Sequence, residues 1–233
     1  MANELTTYTL EGKVATVVMD DGKANALSQP MIQAVRDGLA RAEQEAGALV
    51  LAGRPERFCA GFDLRVMMSG PKQAVELLRA GSDLLLGLYA SPIPVVIACT
   101  GHALAGGALV VLTGDYRVGA SGAFKIGLNE VSIGLPVPAL AMELARDRLL
   151  PTELPHATLG ARIYDPDAAV RAGYLDAVVA AGDVLARARE EAARLAAFGS
   201  MPYRATKQRL RGKTIALIRD SLASDLATLL PGS

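Results

Sequence analysis

Alternation opens the chain. Over residues 6–19 polar and apolar positions exchange around Glu11-Gly12, with Val14, Thr16 and Val18 on one face and Ala15, Val17 and Met19 on the other, which predicts a β-hairpin. Ser28 followed by Pro30 marks a helix start, and that helix runs toward Glu45. The short apolar run Ala48-Leu49-Val50-Leu51 predicts a buried strand. Helical spacing returns in Val75, Leu78, Leu85 and Leu88 between Lys72 and Tyr89, and further strands are predicted at Pro94 to Cys99 and Tyr116 to Gly119. Strand and helix alternate, so the fold class is α/β. Beyond Leu135 the texture turns helical, over 139–149, 165–172 with Asp165 as cap, 184–197 and 203–229, with no further sheet expected.

One segment invites a different reading. From Ser91 to Gly114 there is no charged residue, and length alone permits a membrane span. Against a span stand Pro92, Pro94, Gly101, Gly106 and Gly107, with His102 among them, and a change from β-branched Val95-Val96-Ile97 to small helix formers. A buried strand, a turn and a buried helix are expected there, and no membrane partner.

Composition narrows the partner. The 233 residues are 51% apolar, enough for one large core or two small ones. Lys plus Arg equals Asp plus Glu at 24 each, so no basic field awaits nucleic acid and any ligand must be recognised locally. Cys59 and Cys99 form neither a disulfide framework nor a metal spacing, and two histidines, His102 and His156, make a metal site or a Cys59–His102 nucleophilic pair improbable. Met1-Ala2-Asn3-Glu4-Leu5 lacks a charged-then-apolar export signal, and a cytoplasmic location is expected. There is no G-x-S-x-G elbow, no G-x-G-x-x-G with an acidic ribose ligand and no G-K-[ST] phosphate loop.

The chemistry lies in three blocks: Arg57-Phe58-Cys59-Ala60-Gly61-Phe62-Asp63-Leu64, Gly101-His102-Ala103-Leu104-Ala105-Gly106-Gly107, and Gly127-Leu128-Asn129-Glu130-Val131-Ser132-Ile133-Gly134. The first two put a glycine where a strand gives way to a helix. Two backbone N–H groups converging there would form an oxyanion hole, a device for reactions that build negative charge on a carbonyl oxygen. Plainer roles stay open: Gly61 can supply a positive φ while Asp63 caps a helix, and Ala105, Gly106 and Gly107 can serve helix packing. Glu130 stands among apolar residues, where a carboxylate should be partly desolvated and its pKa raised toward that of a useful base, although a salt-bridged loop residue would look the same.

Together the blocks resemble the crotonase (enoyl-CoA hydratase/isomerase) superfamily, in order from about Tyr8 to Lys207. The resemblance implies a core of ββα spiral turns over residues 1–195. It also implies a helical C-terminal part over 196–233 that packs on neighbouring subunits in a homotrimer or dimer of trimers. The implied partner is an acyl-CoA thioester, with coenzyme A entering as part of the substrate and no separate cofactor or metal. The oxyanion donors would be the N–H groups of Phe62 and Gly106. Lys23-Ala24-Asn25-Ala26-Leu27 matches the segment whose backbone, at Ala24 and Ala26, meets the adenine and pantetheine. Lys23 and Arg65 could reach the phosphates or be plain surface charges, and Ala60, Asp63, Leu64, Ala105 and Leu109 complete the substrate-facing set. The basic run Arg204, Lys207, Arg209, Arg211 and Lys213 reads as a solvated helix face, with Lys207 where the family often has a lysine.

Leu109 is the informative departure. Hydratases of the family carry a glutamate three residues after the oxyanion glycine and use it with a second glutamate to activate water. With leucine there, Glu130 alone suits moving a proton within the substrate. Ile126-Gly127-Leu128-Asn129-Glu130 also looks like the G-L-N-E segment of mitochondrial-type Δ3,Δ2-enoyl-CoA isomerases. The expected activity is therefore isomerase, the alternatives being enoyl-CoA hydratase and a non-catalytic acyl-CoA-binding homologue.

Overall fold

The computed structural model describes residues 5–229, so Met1 to Glu4 of the export-signal reading and residues 230–233 of the C-terminal segment lie outside the described residues. Strands β1 (Thr6–Glu11) and β2 (Val14–Met19) form the antiparallel hairpin, turning at Gly12, whose φ of +59° suits glycine. Helix α1 (Gln29–Glu45) follows, with Ser28 Oγ accepting the Met31 N–H at 3.3 Å and Pro30 in its first turn.

The chain then repeats one unit three times. Strands β3 (Ala48–Gly53) and β4 (Glu56–Cys59) lead to α2 (Leu64–Met67) and α3 (Pro71–Ala90). Strands β5 (Val95–Cys99) and β6 (Gly101–Leu104) lead to α4 (Gly106–Thr113). Strands β7 (Tyr116–Ala120) and β8 (Ile126–Gly127) lead through a 3-10 turn at Val131–Ile133 to α5 (Ala139–Arg148). The remainder is α6 (Leu154–Ala157), α7 (Pro166–Ala172), β9 (Ala177–Val179), α8 (Val184–Ala196) and α9 (Ser200–Leu229). The first strand of each unit joins a six-stranded sheet ordered β1-β2-β3-β5-β7-β9, parallel beyond its first pair, and the second joins a parallel three-stranded sheet, β4-β6-β8. Each turn of the spiral thus feeds both sheets.

Burial on both faces explains the run of apolar residues in β3, where all six residues are buried. Leu49 and Leu51 join Val17 and Ile97 in the main core with α1 and α3, while Val50, Ala52, Val96 and Ala98 pack beneath Ala188, Ala192 and Leu195 of α8.

Two expectations need correction. The uncharged stretch from Ser91 to Gly114 contains two strands before its helix, and His102 lies on β6, not in a turn. Its Nδ1 accepts the Lys125 N–H at 3.0 Å. The C-terminal part returns one strand, β9, to the large sheet, pairing Val118 with Ala177. No helix among the described residues is long and apolar enough to cross a membrane.

The basic run on α9 is not simply a solvated face. Arg204, Arg209 and Lys213 are exposed, but Lys207 and Arg211 are buried on Asp115, at 2.7 and 2.9 Å, and Arg211 Nη1 also donates to the Tyr89 carbonyl at 2.8 Å. Hydrogen bonds of this kind are what make a buried ion pair tolerable. Helix α9 packs on α3 and α5 of its own chain. Near its end Asp225 Oδ2 accepts the Ala139 N–H at 2.8 Å, at the start of α5.

Candidate active site

The two glycine turns meet. Gly61 has φ +96°, and a Cβ there would lie 3.0 Å from the Leu104 carbonyl and 3.3 Å from the Gly106 nitrogen. A Cβ on Gly107 would fall 2.0 Å from the Cys59 carbonyl, so β4 and the head of α4 approach to a distance only glycine permits. Phe62 forms a parallel bridge with Leu27, whose bonds run from Leu27 N–H to Gly61 O at 2.8 Å and from Asp63 N–H to Leu27 O at 3.3 Å. Successive amides of an extended chain point to opposite sides, so the Phe62 N–H faces away from that bridge. Gly106 is the first residue of α4, where the N–H lacks an intrahelical acceptor and the helix dipole is positive. Ala105 before it adopts φ +48°, ψ −122°, a strained conformation of the kind found at functional turns.

Glu130 lines the same cavity as Ala60, Phe62 and Ala105 of those turns. It heads the 3-10 turn, its carbonyl accepting the N–H groups of Ile133 and Leu135, each at 3.0 Å. The residue is 7% exposed, and among the described residues its Oε2 has no hydrogen-bond partner. Burial raises its pKa above the usual carboxylate range, as the sequence predicted. Between Glu130 and the glycine turns lies an apolar cavity of about 180 Å³. Ala60, Phe62, Leu64, Ala105 and Leu109 line it with Glu130, which among the described residues is its only titratable lining side chain.

The other expected site residues fall outside that cavity. Gly106 is buried and does not line the cavity, which its neighbour Ala105 does. The Lys23–Leu27 segment runs beside Ala60–Asp63, Ala24 accepting the Ala60 N–H at 3.1 Å, which brings Ala24 and Ala26 to the turn. Lys23 and Arg65 are exposed, and Asp63 caps α2 by accepting the Arg65 N–H at 2.9 Å. Cys59 and Cys99 are free and buried, burial pushing each thiol up to about 12, which leaves neither a ready nucleophile.

Residues 9–226 match the enoyl-CoA hydratase/isomerase family. The chain belongs to that family. A solved enoyl-CoA hydratase/isomerase family protein from Pseudomonas syringae superposes with a TM-score of 0.95 at 35% identity, covering 97% of this chain and 99% of that one, which shows the crotonase fold. Enoyl-CoA delta isomerase 1, mitochondrial, from Homo sapiens is 29% identical over 220 residues, 92% of this chain and 70% of the relative. A crotonyl-CoA hydratase from Syntrophomonas wolfei is 27% identical over 213 residues, 89% of this chain and 81% of the relative. The enoyl-CoA hydratase/isomerase family thus brings both reaction names to comparable distance from this member.

Asn25 is a supporting residue that pattern reading passes over. It is fully buried at φ +52°, and its Nδ2 donates to the carbonyls of Met19, Arg57 and Phe58 at 2.9, 3.0 and 3.2 Å. Its Oδ1 accepts the Asp21 N–H at 3.0 Å. One side chain therefore ties β2 to the end of β4. The clue in the sequence is its type, since asparagine tolerates positive φ and carries a donor. Asn25→Ala is expected to lower unfolding free energy by about 2–3 kcal/mol, because buried carbonyls lose their donor. A lower urea midpoint with unchanged slope checks it.

Proposed function

We propose that this family member isomerises 3-enoyl-CoA thioesters to the 2-trans form. The observation that carries the reading is that Glu130 is, among the described residues, the one titratable side chain lining a cavity that Phe62 and Ala105 also line, with Leu109 where a second carboxylate would stand in the family's hydratases. Glu130 removes a C2 proton, and the electron pair moves onto the thioester oxygen as an enolate held by the N–H groups of Phe62 and Gly106. The double bond re-forms between C2 and C3 as the same proton is returned to C4. A single group that accepts and then donates suffices for this. The apolar walls keep water from competing for the enolate. Lys23 and Arg65 take the CoA phosphates and the backbone at Ala24 and Ala26 its adenine and pantetheine, in a homotrimer or dimer of trimers.

Hydration is the second reading, favoured by the likeness to a crotonyl-CoA hydratase. The wild type is expected to isomerise 3-hexenoyl-CoA much faster than it hydrates crotonyl-CoA. Leu109→Glu should raise hydration while lowering the melting temperature, since residue 109 is only 3% exposed and a charge there must be desolvated. Both activities are measured on both proteins beside direct binding of hexanoyl-CoA. Efficient wild-type hydration overturns the isomerase reading, and binding without either turnover overturns catalysis.

A further inference from the structure

Phe62 carries more than its amide. Its neighbours Gly61 and Asp63 are both bonded to Leu27, which fixes the backbone, and its ring runs between two helices. A Cβ on Gly81 of α3 would fall 2.1 Å from Phe62 Cε1, and one on Gly106 of α4 would fall 3.1 Å from Cδ2 and Cε2 on the other edge. The ring therefore occupies a slot that two glycines open, with a helix against each edge. Flanked in this way it is a fixed wall and not a swinging one.

That wall separates two spaces. Beside the cavity of about 180 Å³ that Glu130 lines is a second one of about 20 Å³. Phe62, Leu78, Leu109 and Pro138 line both, so these four residues form the partition. On its inner side stand Leu85, Leu140 and Ala141, all buried, with Ser82 of α3 and Asp225 of α9 as the polar lining. A space of that size holds about one water molecule or methyl group. The larger cavity has its mouth elsewhere, at Leu64 and Ile133, which line it while 62% and 50% exposed.

We propose that the Phe62 ring is the end stop for the acyl chain, restricting the site to short thioesters, and that the small cavity behind it is a closed extension of the same chamber. This rests on the reading of the substrate as an acyl-CoA. The charged coenzyme must stay at the open mouth, in water, so the acyl tail points away from it toward the partition. Each methylene that finds an apolar wall strengthens binding about fourfold. A chain long enough to meet the ring has no further apolar surface to enter, and added methylenes gain nothing. One residue then serves both ends of the acyl group, its amide at the thioester oxygen and its ring at the tail.

The test is calorimetric titration of the full chain with hexanoyl-CoA and octanoyl-CoA, saturated thioesters that have no double bond to move. The readout is the ratio of the two affinities, in which a general weakening cancels. The wild type should bind octanoyl-CoA no more tightly than hexanoyl-CoA. Phe62→Ala, its fold checked by circular dichroism, should bind octanoyl-CoA about tenfold more tightly than hexanoyl-CoA, because two more methylenes enter the joined space. Adding Ser82→Leu refills that space from the inner side and should return the ratio to the wild-type value. Should Phe62→Ala not fold, Leu78→Ala thins the same partition at a half-buried position and should raise the ratio about fourfold.

Tighter octanoyl-CoA binding by the wild type overturns the proposal, the tail then leaving over the Leu64 and Ile133 rim. So does an unmoved ratio in the folded Phe62→Ala protein, or in Leu78→Ala where that one is needed, and so does a gain that survives Ser82→Leu. If the wild type has no isomerase turnover while the ratio still responds, the proposed reaction fails and the end stop stands; normal turnover with an unmoved ratio removes the end stop alone.

Discussion

Glu130→Gln is expected to lower the isomerisation rate by about a thousandfold or more while leaving the affinity for hexanoyl-CoA within a few-fold. The amide keeps the shape of the side chain in its buried position but cannot take a proton. In the wild type the base must be ionised, and burial lifts its pKa, so kcat/KM should fall on the acid side beginning at a higher pH than an exposed glutamate would give. That limb should be absent from the residual activity of Glu130→Gln. Single-turnover rates across pH, beside calorimetric titration with hexanoyl-CoA, measure both. Retention of most turnover in the variant would remove Glu130 from the mechanism.

The second large effect concerns the hole. Gly106→Pro deletes one donor, and the first position of α4 is where a helix best tolerates a missing N–H. Any side chain at 106 also meets Leu27 and the Phe62 ring, each 3.1 Å from an added Cβ, so Gly106→Ala is the control. The alanine variant carries that crowding and keeps the N–H. We expect the proline variant to lose about a hundredfold more in kcat than the alanine variant, the usual worth of one oxyanion donor. Circular dichroism establishes that both fold. A folded proline variant as active as its alanine control would show that this amide does not hold the oxygen.

Much of this site was legible before any coordinates. Ser28-Pro30 and the apolar spacing within α1 and α3 place those helices to within a residue or two, because caps and periodicity are local signals. Gly61, Gly106 and Glu130 stood out because their neighbours form spaced blocks that the family shares. What escaped was non-local. Strands β4, β6 and β8 span two to four residues each, too few to show a period, and exist because they pair with one another. Lys207 and Arg211 sit in a run of like charge with no acid inside it. Their burial depends on Asp115, 92 positions before Lys207, which no window on α9 contains.

The anchoring of α9 also bears on how the protein is made. Asp225 holds the first N–H of α5 one residue beyond Pro138, which lines the cavity with Glu130. Phe62, Gly106 and Glu130 leave the ribosome long before that contact can form. A nascent chain thus carries Glu130 and the glycine turns early but has one wall of the cavity tied down only when α9 has been synthesised as far as Asp225 and docked. Settling of that wall therefore waits on a contact 86 positions away in sequence, so a chain cut before Asp225 would keep Glu130 and the glycine turns but lose one tie on the cavity that Glu130 lines.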